Sequence, residues 1–187
     1  KDKELVSIQE ELTFAQTYMN LLKMRFENSL YYELPAFNLR MYFRPTDFTQ
    51  VNPAINKVLV TQAMGFLNIQ PDDSLVDWFC GLGNFTLPMA TLAHQVIGVE
   101  GSRSLLSWAH ENLQRNNATR STVGGKLLVD IDFREHNLFE ISAESLKSYG
   151  SHTKWLIDPP REGAFALVKA LTDLVSEDEQ WFAPKRI

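Results

Sequence analysis

The chain has one cysteine, Cys80, in 187 residues. A lone thiol closes no intramolecular disulfide and cannot by itself hold a structural zinc or iron–sulfur site, which points to a reducing compartment, expected to be the cytoplasm, and away from metal chemistry. Apolar runs approaching the roughly 20 residues that span a bilayer are missing, so no membrane association through a helix is expected. Positive charge is not in excess either: 18 Lys and Arg stand against 23 Asp and Glu, a formal net charge of -5. That balance gives no general reason to bind a polyanion and leaves a local basic face open. No Gly-Lys-Ser or Gly-Lys-Thr occurs, which excludes a P-loop on the motif. His94, His110, His136 and His152 show no metal-ligand spacing, and no internal repeat or low-complexity tract is present. The start, Lys1-Asp2-Lys3-Glu4, is neither an initiator Met nor a secretory leader, as expected of a piece excised from a longer protein.

What is there is ordinary globular material: 44% hydrophobic, 11% aromatic and 22% charged residues, with length for one domain plus an arm and not for two full domains. Residues 3 to about 30 carry Leu5, Ile8, Leu12, Ala15, Met19 and Leu22 at three- and four-residue steps, which predicts an amphipathic helix. After Pro35 the alternating run 37–43 reads as a strand, so we place the boundary of a helical arm, 1–36, and a main domain, 37–187, here. Asn52-Pro53 opens a second helix, expected to put Ile55, Leu59, Ala63 and Phe66 on one face.

From Leu75 onward, short apolar runs alternate with helical stretches, the pattern of βαβ units and a parallel sheet. Strands are expected at 74–79, 95–100, 125–131 and 154–158, with helices at about 84–92, 102–117, 142–149 and 163–175. The fold class is therefore α/β, a doubly wound, Rossmann-like sheet with helices on both faces. Such folds place ligands at the carboxyl ends of their strands. Ala183-Pro184-Lys185-Arg186-Ile187 reads as the lead-in of a fifth strand, as if the piece stopped where that strand begins.

The strongest local signal is Asp77-Trp78-Phe79-Cys80-Gly81-Leu82-Gly83-Asn84-Phe85-Thr86, at the junction of the first parallel strand and its helix. Gly81 and Gly83 let the backbone turn sharply and approach a ligand with no Cβ in the way. Glu100 ends the next strand, where a carboxylate can accept hydrogen bonds from both hydroxyls of a ribose. Together they describe a nucleoside-cofactor site. The dinucleotide fingerprint wants glycine at position 86, and this chain has Thr86 after the bulky Phe85, which disfavours NAD. S-adenosylmethionine, with a ribose and no phosphate, fits better. A solvated Glu beside a plain glycine turn is the reading without function. At the fourth strand, Asp158-Pro159-Pro160-Arg161 is a stiff loop that holds Asp158 and Arg161 at the sheet's carboxyl edge, suited to a planar heterocycle, unless the two prolines merely end the strand.

With Arg44-Pro45-Thr46-Asp47-Phe48-Thr49-Gln50-Val51-Asn52, these motifs make the chain similar to the catalytic domain of the bacterial RNA uracil-C5 methyltransferases, which form 5-methyluridine. It most resembles the branch acting on large-subunit (23S) ribosomal RNA, from about Phe37 to Ile187. The resemblance implies a class I S-adenosylmethionine-dependent methyltransferase fold. It implies that Gln50 lies at the cofactor and target-base site, that Phe79 and Asn84 contact cofactor, and that Glu100 binds the ribose. Asn137 then lies at the adenine end, and Asp158 sits between cofactor and uracil with Arg161 beside it.

The family's nucleophile is a cysteine in a Ser-Cys-Asn-Pro segment on the next strand, with a glutamate further on that removes the C5 proton; neither occurs in this sequence. The resemblance implies thiolate attack at uracil C6, which makes C5 nucleophilic toward the cofactor methyl, so these residues alone are expected to be inactive. Cys80, inside the glycine turn, reads as a packing thiol. The resemblance also implies an RNA-binding barrel, and in some relatives an iron–sulfur cluster, in the full-length parent. Ribosomal RNA would be the partner through that parent. Alternatives are a small-molecule or transfer-RNA-directed methyltransferase, an NAD-binding oxidoreductase domain, and a binding module with no enzymatic parent. Oligomeric state is open.

Overall fold

The computed structural model describes residues 7–25, 30–44, 52–128 and 130–187. In chain order these form α1 (Ile8–Arg25), β1 (Leu30–Leu34), a 3-10 turn (Pro35–Phe37), β2 (Leu39–Phe43) and α2 (Pro53–Leu67). Then follow β3 (Ser74–Trp78), α3 (Thr86–Ala90), β4 (Gln95–Glu100), α4 (Arg103–Thr122), β5 (Ile131–Glu135), α5 (Ala143–Lys147), β6 (Lys154–Ile157) and α6 (Phe165–Glu177). β3 to β6 make one parallel sheet in the order β5-β4-β3-β6, and β1 and β2 make a separate antiparallel hairpin. Arg186 bridges in parallel to Lys154, with Trp155 N–H donating to Arg186 O at 3.0 Å, so the expected lead-in of a further strand lies beside β6.

Alternation along β3 and β4 divides the side chains between two cores, as the two-residue period of a strand requires. Leu75 and Val96 pack with the hairpin, α2, α3 and α4, whereas Val76, Trp78, Ile97 and Val99 pack with α5 and α6. The expected doubly wound sheet, helices on both faces, is what forms. The hairpin straddles position 36, and Leu34 and Leu39 are buried in the first core together with Val60 of α2.

Three expectations need correction. On α2 the buried face is Asn56, Val60, Met64 and Leu67, while Ile55, Leu59 and Phe66 point outward. The helix carries two apolar stripes, and polar Asn56 disguises the inner one. The third parallel strand lies at Ile131–Glu135, not at 125–131. Gly124, at φ 67°, and Gly125 close the end of α4, and Leu128 is held by a two-way hydrogen bond with the Asn117 side chain, so the apolar run packs as a connection. Residues 30–34, inside the arm expected to be helical, form β1, because Tyr32 and Leu34 alternate with exposed Tyr31 and Glu33.

The hairpin docks on α4 through two buried asparagines one helical turn apart. Asn116 accepts from Arg40 N–H at 2.9 Å and donates to Arg40 O at 2.7 Å. Asn112 accepts from Tyr42 N–H at 2.6 Å and donates to Tyr42 O at 3.1 Å. Each amide pairs with β2 as a neighbouring strand would.

Candidate cofactor site

β3 ends at Trp78, and the chain then turns through three left-handed residues, Phe79 (φ 66°), Gly81 (φ 56°) and Gly83 (φ 91°). Glycine accommodates that conformation without a Cβ penalty. A Cβ on Gly83 would come within 2.7 Å of Leu87 Cδ1, while one on Gly81 would meet nothing within 4 Å, so Gly81 borders open space. Glu100, at the carboxyl end of β4, braces this turn. Gly81 N–H donates to its Oε2 at 3.1 Å and Ser102 N–H to its Oε1 at 2.8 Å. A carboxylate so oriented keeps lone pairs for further donors, such as two vicinal hydroxyls.

The turn is also held from behind. Tyr32 OH donates to Asn84 Oδ1 at 2.7 Å, and Asn84 and Asn56 exchange amide hydrogen bonds at 2.9 and 3.0 Å. Asn112 donates to Leu82 O at 3.1 Å, so the residue that clamps the hairpin also fixes the turn. Burial pushes the Tyr32 phenol up.

Asp77 lies behind the turn with no exposed surface. Its Oδ2 accepts from Thr86 Oγ1 at 2.6 Å, while its Oδ1 is buried with no partner among the described residues. Burial, reinforced by the charges of Asp158 and Glu100, raises its carboxyl to about 7. Cys80 is buried beside it; desolvation, Asp77 and Glu100 push its thiol well above the ordinary range, which makes it a poor nucleophile. Three carboxylates therefore surround one glycine turn.

Around the rim, Phe79 meets Phe139 edge-on at 5.9 Å between centroids. Asn137 follows β5 by two residues, is exposed, and accepts from Phe139 N–H at 3.2 Å. Asp158 begins the loop after β6, with its N–H on Trp78 O at 3.4 Å; partial burial raises its carboxyl. Arg161 is exposed on the same loop. The structure thus gathers Phe79, Gly81, Gly83, Asn84, Glu100 and Asp158 at the carboxyl ends of β3, β4 and β6, with Asn137 after β5. The amide of Asn84 is engaged by Tyr32 and Asn56. Gln50 lies outside the described residues.

Asp77, Tyr32, Asn56 and Asn112 were not singled out from sequence. A buried acid opening the glycine motif and asparagines set one turn apart on helix α4 were the available signals. Among the described residues no group of three His, Cys, Asp or Glu could hold a metal ion, and no helix is long and apolar enough to cross a membrane.

A sequence profile for the family described as tRNA (uracil-5-)-methyltransferase matches residues 22–180. The chain is 50% identical over 171 residues to a protein of Acidovorax sp. (strain JS42) named 23S rRNA (uracil(1939)-C(5))-methyltransferase RlmD, covering 84% of this chain and 35% of that one. A protein of the same name from Polaromonas naphthalenivorans (strain CJ2) is 51% identical over 145 residues, covering 78% and 29%. The chain thus spans about a third of the length of the curated relatives it matches. Among solved structures, Pyrococcus abyssi tRNA (uracil-54, C5)-methyltransferase, in complex with S-adenosyl-L-homocysteine, superposes with a TM-score of 0.60 at 21% identity, covering 79% of this chain and 32% of that one. Trm5b from the same organism superposes at 0.58 with 13% identity, covering 79% and 37%. These two establish the likeness of fold, that of the class I methyltransferases. With the profile spanning most of its length, the chain belongs to the tRNA (uracil-5-)-methyltransferase family.

Proposed function

We propose that these residues form the S-adenosylmethionine-binding part of an RNA methyltransferase that methylates C5 of a uridine in 23S ribosomal RNA. The observation that carries the cofactor reading is the acidic surround of the glycine turn: Asp77 lies behind it, Glu100 accepts from its Gly81 N–H, Asp158 begins the loop whose N–H meets Trp78 O, and the charges of Asp158 and Glu100 help raise the Asp77 carboxyl. A pyrophosphate would meet repulsion there, whereas a cationic sulfonium with a ribose would be favoured. The short α3, five residues long, supplies little helix dipole for a phosphate, and the Thr86 hydroxyl is already committed to Asp77. The open space at Gly81 fits the same ligand.

In this reading Glu100 accepts the ribose hydroxyls while the Gly81 and Ser102 N–H groups hold its carboxylate in place, so little reorganisation is needed on binding. Phe79 and Asn137 border the adenine end, and Asp158 sits toward the target base, with Gln50 and Arg161 as companions. The bound cofactor supplies an electrophilic methyl group. Cys80, buried and held protonated, does not supply the attacking thiolate, so these residues are expected to bind cofactor without methylating RNA.

Support for ribosomal over transfer RNA comes from relatives about half identical to this chain that bear the 23S rRNA name. The test of the cofactor reading is calorimetric titration with S-adenosylhomocysteine and, in parallel, NAD. Binding of the first alone is expected; preference for NAD overturns the reading. Comparison of 23S and transfer RNA as substrates of the full-length parent tests the RNA assignment.

A further inference from the structure

The charge of this acidic chain is unevenly placed. Residues 30–44 and 103–126, the hairpin and α4, hold six Arg and Lys against two Glu. Residues 140–179, around α5 and α6, hold four Lys and Arg against eight Asp and Glu. On the basic side the side chains form an ordered strip. The Arg40 guanidinium lies over Tyr31 at 5.1 Å, Tyr31 meets Tyr42 at 5.6 Å, and Arg115 lies over Tyr42 at 4.5 Å. Arg44 covers Trp108 at 5.2 Å on the same side.

The strip has a direction. β2 runs antiparallel to α4, with Arg40 beside Asn116 and Tyr42 beside Asn112, so it leads toward the start of α4, which follows Glu100. Flat guanidinium and phenol planes at a surface stack on unpaired bases, and guanidinium N–H groups neutralise phosphates. Arg40 and Arg115 each use Nε on a neighbouring glutamate, Glu33 and Glu111, and Arg40 also hydrogen-bonds the Tyr42 side chain, which orients both planes along the strip; a guanidinium carries five N–H donors, more than these contacts use.

We infer that the hairpin–α4 face is an RNA-docking surface that holds a single-stranded segment of the substrate, through the Arg40–Tyr31–Tyr42–Arg115 strip, as it approaches the cofactor end of the sheet. This rests on the RNA methyltransferase reading for its partner, and it adds a site outside the cofactor turn. The test is fluorescence polarisation of this chain with a labelled RNA stem–loop carrying an unpaired uridine-rich loop, alongside S-adenosylhomocysteine calorimetry on the same preparations. Arg40→Gln with Arg115→Gln is expected to weaken RNA binding about tenfold or more and to flatten its salt dependence by about two released ions. Tyr31→Ala, at an exposed position, is expected to weaken it about fivefold or more for the loop and less for a blunt duplex. Lys169→Gln on the opposite face should change neither. Unchanged RNA affinity in the arginine variant, no RNA affinity in the unsubstituted chain, or equal affinity for poly-glutamate would each overturn the inference. Because homocysteine-compound binding is read separately, loss of the RNA result with that binding intact leaves the cofactor reading standing.

Discussion

The two faces of the sheet are built by different chemistry. Toward α5 and α6 the core is aromatic: Trp78 meets Tyr149 and Trp155 edge-on, both at 5.1 Å, and Trp155 meets Trp181 at 6.2 Å. The indole N–H groups of these three tryptophans have no partner among the described residues. Toward the hairpin and α4, polar groups run through the core, from buried Asp77 and Thr86 to half-buried Asn84 and buried Asn56, Tyr32, Asn112 and Asn116. Apolar packing is adhesive without being directional, whereas amide hydrogen bonds fix distance and angle. The face that carries the glycine turn has the directional groups, and the other supplies bulk stability.

The sharpest way to break this contrast is to cut the aromatic side. Trp155→Ala should cost about 3–5 kcal/mol in urea unfolding while the remaining folded protein keeps its affinity for S-adenosylhomocysteine. An affinity loss matching the stability loss would mean that the faces are not separable. Asn112→Ala should cost less stability, about 1–3 kcal/mol for the unpaired backbone groups of Tyr42 and Leu82, yet weaken that ligand measurably, because it releases the turn.

Asp77 tests the polar face through pH. Its carboxyl is raised to about 7 in the folded chain, against an ordinary value near 4 when unfolded, so between those values the folded state holds the extra proton. Stability should therefore fall as pH rises from 5 to 7 and level off above, by on the order of 2 kcal/mol; Asp77→Asn should flatten the profile, and thermal melts at pH 5 and 8 would show it. Glu100→Ala is expected to weaken cofactor binding about tenfold, about 1.4 kcal/mol, with a stability change smaller than that of Asn112→Ala. At the small end, Arg103→Ala, which removes an exposed pair with Glu135, should shift unfolding by under about 0.5 kcal/mol.

The turn, Glu100 and the Asp158 loop were legible because each is a local string whose glycines, acid or prolines have few structural substitutes. The parallel sheet was legible from the spacing of apolar runs. What escaped was set by pairing across the chain. The inner stripe of α2 contains Asn56, polar alone and matched by Asn84, 28 residues on. β5 alternates charged and apolar residues, so the more apolar 125–131 outcompeted it in the reading. The asparagines of α4 gain their role from β2, 70 and 76 residues earlier. Asp77 opens the glycine motif, yet its weight comes from burial that no motif states.

The clamp between α4 and β2 bears on self-association. A strand with free N–H and C=O groups is a template on which another chain can add, the usual first step of β-mediated aggregation. At Arg40 and Tyr42 those groups are already taken by Asn116 and Asn112. An intruding strand would have to displace four side-chain hydrogen bonds before it could pair there, so a helix has closed an edge that sheets ordinarily close with another strand.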